Sequence, residues 1–235
     1  MRHRSHWARW LLMAVLCLAF LYEAGLFGMV VWYKYRNPAD TAVMQETLDM
    51  LRSDNPRATL SYRWVPYARI SPSLKRAVIA AEDSGFVEHD GVEWDAIRKA
   101  WHYNERQEDL GRSRRRGGST ITQQLAKNLF LSNSRNYVRK GQELILTYMI
   151  EAVMDKRRIL ELYLNVAQWG EATFGAQAAA QRWFHTSAAQ LTSSQASLLA
   201  AMLPNPAYYD RHGQTTRLRS HAATVQARMP LVEVP

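Results

Sequence analysis

Residues 10–33 leave this chain few choices of fold. Trp10 to Tyr33 is a run of 24 residues carrying a single charge, Glu23. As a helix it spans about 36 Å, enough to cross the hydrocarbon core of a bilayer with some tilt. A cleaved secretory leader has an apolar region of only about 7–15 residues before a small-residue cleavage site. Here the run is longer and no clean Ala-x-Ala follows, so the expectation is a retained anchor. Glu23 costs roughly 2.5–3.5 kcal/mol at mid-helix depth, either set against a partner helix or simply tolerated. Trp7, Trp10, Trp32, Tyr33 and Tyr35 stand at the two ends, where interfacial aromatics belong. Arg2, Arg4 and Arg9 precede the span and Lys34 and Arg36 follow it, a small excess that favours a cytoplasmic N-terminus. The one cysteine, Cys17, lies in this segment, so no intramolecular disulfide forms.

The remainder is long enough for one domain with a real core, 47% of the 235 residues being hydrophobic. Its pattern is helical with few strand signals, which predicts a mainly α fold. The expected division is 1–9 N-terminus, 10–33 transmembrane anchor, 34–58 linker or helix, 59–210 folded domain and 211–235 tail. Thr59 to Val65 reads as a short extended piece broken by Pro66. Ser71-Pro72 opens a helix over 72–84 that Gly85 can close. Further helices are expected near 93–105, 120–130, 136–154, 156–165, 175–184 and 193–203. The tail is polar, basic and weakly periodic, and is expected to be irregular.

Arg112 to Lys140 holds eight Lys/Arg and no Asp or Glu, most of the imbalance behind a formal net charge of +9. Inside it runs Gly117-Gly118-Ser119-Thr120-Ile121-Thr122-Gln123-Gln124-Leu125-Ala126-Lys127-Asn128. Thr120 with Gln123 fits a capping box, so two glycines lead into a helix start. Ile121, Leu125 and Leu129 face a core, while Gln124, Lys127 and Asn128 share another face at i, i+3 and i+4. Free amides at the helix start and the helix dipole favour an anion there. An arbitrary Arg-rich loop more often just faces water. No zinc-finger or RNP motif supports nucleic acid as the partner. The Gly-x-x-x-x-Gly-Lys-Ser/Thr phosphate loop is absent as well.

The word GGSTITQQLAKN resembles the signature of the peptidoglycan glycosyltransferases, glycosyltransferase family 51. Other family motifs follow in order. Glu82-Asp83-Ser84-Gly85-Phe86-Val87-Glu88-His89-Asp90-Gly91 matches E-D-x-x-F-x-x-H-x-G, and Arg139-Lys140-Gly141-Gln142-Glu143 matches R-K-x-x-E. Lys156 to Asn165 matches K-x-x-I-L-E-x-Y-L-N. Gly170, Gly175, Ala179, Trp183 and Phe184 resemble the next block, with Trp183 where Tyr is commoner. Leu191 to Tyr208 resembles the closing block. The likeness runs from roughly Tyr62 to Asp210.

The resemblance implies a lysozyme-like lobe with a smaller membrane-proximal jaw, joining lipid II units into β-1,4-linked glycan with loss of undecaprenyl pyrophosphate. It places the enzyme in the cell inner membrane, single-pass, with the catalytic domain periplasmic. Its partners are lipid II, the lipid-linked glycan strand and the membrane, with division proteins and penicillin-binding proteins as further candidates. Phe130 and Leu131 could dip into lipid, although core packing accounts for them more simply.

Glu82, after Ala77-Val78-Ile79-Ala80-Ala81, stands at a helix end in an apolar setting. Both features raise a carboxyl pKa, as a general base near neutral pH requires. The family motif places the catalytic Glu here. Asp83 points to another face and reads as structural, as do Phe86, His89, Gly117 and Gly118. Glu143 lies i+4 from Arg139 and i+3 from Lys140, so it should be ionised and paired. The resemblance marks it as the second important Glu, and its charge suits it to ordering phosphate-holding cations. Lys127, Arg135, Arg139 and Lys140 would meet the pyrophosphate, while Ser119, Gln123, Gln124 and Asn128 would position sugar or phosphate oxygens. No cofactor is expected; a divalent ion, Mg or Mn, can assist the pyrophosphate, and no His/Cys/Asp cluster dictates a metal site.

Two other readings share some of these features. A lytic peptidoglycan-cleaving enzyme on a lysozyme-like lobe would use a helix-end Glu but has no pyrophosphate to meet. A non-catalytic division scaffold would not need Glu82 and Glu143. A bifunctional penicillin-binding protein is not expected, since neither Ser-x-x-Lys nor Lys-Thr-Gly occurs.

Overall fold

The computed structural model describes residues 4–112, 117–134 and 136–235. Arg114, Arg115, Arg116 and Arg135 of the basic segment lie outside them. The chain divides into two compact units, Met1–Asn37 and Pro38–Pro235. The first is one helix, α1 (Arg4–Tyr35), and its stretch Trp7–Tyr35 is long and apolar enough to cross a membrane.

The second unit is mostly helical. In chain order it contains α2 (Ala42–Asp54), β1 (Ser61–Tyr62), α3 (Pro72–Glu82), α4 (Trp94–Asp109), α5 (Ile121–Phe130) and α6 (Tyr137–Val153). There follow α7 (Lys156–Val166), β2 (Thr173–Phe174), α8 (Ala176–Phe184), α9 (Ser193–Met202), α10 (Pro206–His212) and α11 (Thr216–Arg228). Most helix starts were legible because a short polar side chain caps them. The oxygens of Ser71, Thr120, Asn136, Asp155 and Thr192 each accept a backbone N–H from the first turn. The helix expected over 72–84 ends earlier, at Glu82, because the Asp83 backbone has already left the helical conformation.

Two packing groups form the interior. α5 lies against α2, α6 and α7, burying Ile121, Leu125, Ala126 and Leu129. α3 packs on α9 and α11 through Leu74, Ala77, Val78 and Ile79. The extended piece expected over 59–65 contributes a two-residue parallel ladder, Ser61 beside Thr173 and Tyr62 beside Phe174. Asn165 on α7 fastens its far end. Its Oδ1 accepts from Val65 N–H at 2.8 Å and its Nδ2 donates to Val65 O at 2.9 Å.

The tail is not irregular. Residues 216–228 form α11, capped by Thr215, with Leu218, Ala222 and Val225 buried at i, i+4 and i+7. Three small or medium apolar residues among arginines and histidines make a weak periodic signal. The narrow stripe is nonetheless enough to close the α3–α9 pair.

Candidate active site

Glu82 is the last residue of α3 and Gln124 belongs to the first turns of α5. The Gln124 amide Nε2 donates to Glu82 Oε2 at 2.7 Å, and its Oε1 accepts from the Tyr163 hydroxyl of α7 at 2.9 Å. A flipped amide would turn its oxygen, an acceptor, onto the Glu82 carboxylate, whereas the observed one satisfies both Glu82 and the buried Tyr163 hydroxyl. Gln124 therefore aims one N–H at the carboxylate. Burial pushes the Glu82 carboxyl above the usual range; the Gln124 hydrogen bond opposes this and the charge of Asp83 reinforces it. Tyr163 is raised well above an ordinary phenol by burial, then by Glu82 and Asp83, and stays a neutral donor.

Asp83 turns the other way. Its Oδ2 accepts the first amide of α5, Ile121 N–H, at 3.0 Å, and its Oδ1 meets His89 Nε2 at 2.8 Å. Gly91 N–H donates to His89 Nδ1 at 3.1 Å, which leaves the ring proton on Nε2 and makes His89 the donor to Asp83. Gly91 has φ +88°, a left-handed turn that an L side chain resists, and its carbonyl receives the Thr120 hydroxyl at 2.6 Å. The motif Glu82 to Gly91 is thus a brace. One carboxylate takes the Gln124 amide while its neighbour pins the helix that carries Gln124. Phe86 fills the floor of the turn, fully buried beneath the Lys156 ammonium.

Three of the amides at the start of α5, expected to be free for an anion, are already taken. Ile121 N–H goes to Asp83, Gln123 N–H to Thr120 Oγ1 at 3.2 Å, and Thr120 N–H to Gln123 Oε1 at 3.0 Å. Gln123 is accordingly a cap: it is 1% exposed, and the role of positioning substrate passes from it. Replacing it by alanine is expected to cost about 0.5–2 kcal/mol in urea unfolding, the range for losing a capping interaction. Substrate KM should not change; a raised KM at intact stability would restore Gln123 to the substrate face. Gly117 and Gly118 stand before the cap, outside the helix. A Cβ on Gly118 would lie 3.0 Å from Ile97 Cα, so glycine lets this loop pass against α4. Asn128 is buried, leaving Ser119 and Gln124 as the uncharged polar candidates with more surface.

Positive charge comes from side chains. Lys127 is one turn beyond Gln124 on the same face of α5, a rise of about 5 Å. On α6, Arg139 Nη1 donates to Glu143 Oε2 at 2.7 Å and Lys140 Nζ to Glu143 Oε1. Lys140 also donates to Ser119 Oγ at 3.1 Å, tying the loop before α5 to α6. Glu143 is 3% exposed. Burial pushes the Lys127 amine down; Glu143, acting through its charge, pushes it back up, while Arg139 lowers it. One carboxylate thus acts on three cations, which leaves a net positive charge on this part of α5 and α6. Arg139 keeps a buried Nε–H with no partner among the described residues. No group of three or more His, Cys, Asp or Glu side chains that could hold a metal exists among the described residues.

A buried carboxylate of raised pKa and a cluster of cations, joined by one face of α5, form the polar centre of the second unit. A family model described as transglycosylase matches residues 50–230. The biosynthetic peptidoglycan transglycosylase of Bordetella pertussis is 62% identical over 99% of this chain and 97% of its own length. Those of Herminiimonas arsenicoxydans and Methylobacillus flagellatus are each 50% identical, over 96% and 95% of this chain and 96% of their own lengths. The chain belongs to the transglycosylase family, the peptidoglycan glycosyltransferases of family 51. Tyr163 is the residue of this hydrogen-bonded group that sequence reasoning passed over. Its motif was visible, but a tyrosine amid Ile159, Leu160, Leu162 and Leu164 looks like core until its hydroxyl is seen on Gln124.

Proposed function

We propose that this protein is a membrane-anchored polymerase of lipid II. Glu82 takes the proton from the 4-hydroxyl of the acceptor N-acetylglucosamine. The freed oxygen forms a bond to C1 of the donor N-acetylmuramic acid as the bond from C1 to the pyrophosphate oxygen breaks. One displacement on an α-linked donor inverts C1 and gives a β-1,4 linkage; undecaprenyl pyrophosphate leaves with the electron pair. Lys127, Arg139 and Lys140, with Arg135, stabilise the departing charge, and Glu143 keeps them ordered. Ser119 and Gln124 position oxygens nearby. The observation that carries this reading is the Gln124 bridge, which sets the base one helical turn from Lys127.

The reaction draws no cofactor from the protein. A divalent ion, Mg or Mn, would have to take its ligands from pyrophosphate oxygens, since Lys127, Arg139 and Lys140 offer it none. The apolar helix α1 supports membrane anchoring. The topology that fits is an inner-membrane, single-pass protein with a cytoplasmic N-terminus and a periplasmic catalytic domain. Division proteins and penicillin-binding proteins are the candidate partners. The test is polymerisation of labelled lipid II by detergent-solubilised full-length protein, which should yield glycan strands. Folded protein that makes no strands, yet releases fragments from added peptidoglycan, would sink the synthase reading and establish a lytic enzyme.

A further inference from the structure

Lys127 and the pair Arg139 and Lys140 sit on two helices joined by a connection that begins after Phe130 and ends at Asn136. Ser132 and Ser134 bond to each other there at 2.8 Å, and Asn136 Oδ1 accepts Arg139 N–H at 2.7 Å to start α6. The tie to another element comes from α2. Glu46 Oε2 accepts both the backbone N–H of Asn133, at 2.8 Å, and its side-chain Nδ2, at 2.9 Å. α2 itself is seated on α5 by Val43, Met44 and Thr47. Glu46 thus reaches from a helix packed on one cation-bearing element to the connection leading to the other.

We infer that Glu46 is a positioning residue for the glycosyl transfer: by holding Asn133 it sets how Arg139 and Lys140 on α6 stand relative to Lys127 on α5. The inference rests on the reading of the site given above. Two donors on one carboxylate oxygen are charge-assisted bonds, and one of them is a main-chain group, so the tie constrains the backbone as well as a side chain. Its charge also acts on Lys127. Burial lowers that amine, and Glu46 assists Glu143 in opposing the loss of its proton. The family match begins at residue 50, so Glu46 belongs to none of the motifs that define the site.

Full-length protein carrying Glu46→Ala or Glu46→Gln tests this, because glutamine keeps an oxygen acceptor for Asn133 and alanine does not. In native-state hydrogen exchange, Glu46→Ala is expected to speed exchange of the Asn133 amide about tenfold, with the α9 core unchanged. In lipid II polymerisation the same variant should lose about five- to tenfold in kcat with KM nearly constant, the scale of losing one such bond. Glu46→Gln should recover most of both. An Asn133 amide that exchanges in Glu46→Ala as in wild type would overturn the inference. A wild-type protein that makes no polymer, yet shows the same exchange pattern, would overturn the reaction reading and leave the Glu46 tie standing.

Discussion

Glu82→Gln is expected to abolish detectable polymerisation while leaving the fold intact. A positioned general base contributes about 10²–10⁴-fold, and glutamine cannot accept the proton. The substitution is nearly isosteric, and its amide oxygen can still take the 2.7 Å bond from Gln124. The pH signs separate a base from a structural carboxylate. Burial raises the Glu82 pKa in the folded protein, so between the unfolded and folded values the native state binds the extra proton. Stability therefore falls as pH rises through that window, above the ordinary carboxylate range. Glu82→Gln removes this dependence and should be at least as stable as wild type at neutral pH. Wild-type kcat/KM should rise over the same window as the base loses its proton. A variant that keeps more than a tenth of wild-type turnover would show that another group accepts the proton.

The same residue illustrates what was legible beforehand. That Glu82 stands at a helix end follows from Ser71-Pro72, the apolar run and the turn at Gly85, because caps and periodicity are local. The helix starts at Thr120, Asn136 and Thr192 were readable for that reason. Two things were not. α11 buries only Leu218, Ala222 and Val225, and a stripe that narrow becomes decisive only when α3 and α9 are present to receive it. The start of α5 looked open to an anion because its tertiary partner, Asp83, lies 38 residues away and nothing local announces the contact. Glu46 and Tyr163 were hidden likewise: each acts through a side chain on another element, across 87 and 39 residues. Charge, caps and motif order can be read along the chain; second partners cannot.

Glu143→Gln should cost about 3–5 kcal/mol of stability, the range for removing one member of a buried ion pair. The reason is the unequal sharing seen in the site. Glu143 is 3% exposed and takes Arg139 at 2.7 Å as well as Lys140, and its charge supports protonation of Lys127. Without it the three cations lose the carboxylate that offsets them, and the half-buried Lys127 amine, already pushed down, loses its proton at lower pH still. The amide can keep one hydrogen bond, so the loss is of charge more than shape. If Glu143 acts this way, pyrophosphate should stabilise the variant in thermal unfolding more than it stabilises wild type, since the anion replaces the missing charge. Turnover should fall together with stability. If instead Glu143 were a proton donor, its loss would be read chiefly in the rate. In that case one limb of the pH–rate profile would disappear, and pyrophosphate would stabilise both proteins equally. Unfolding with and without pyrophosphate therefore decides between an organiser of cations and an acid.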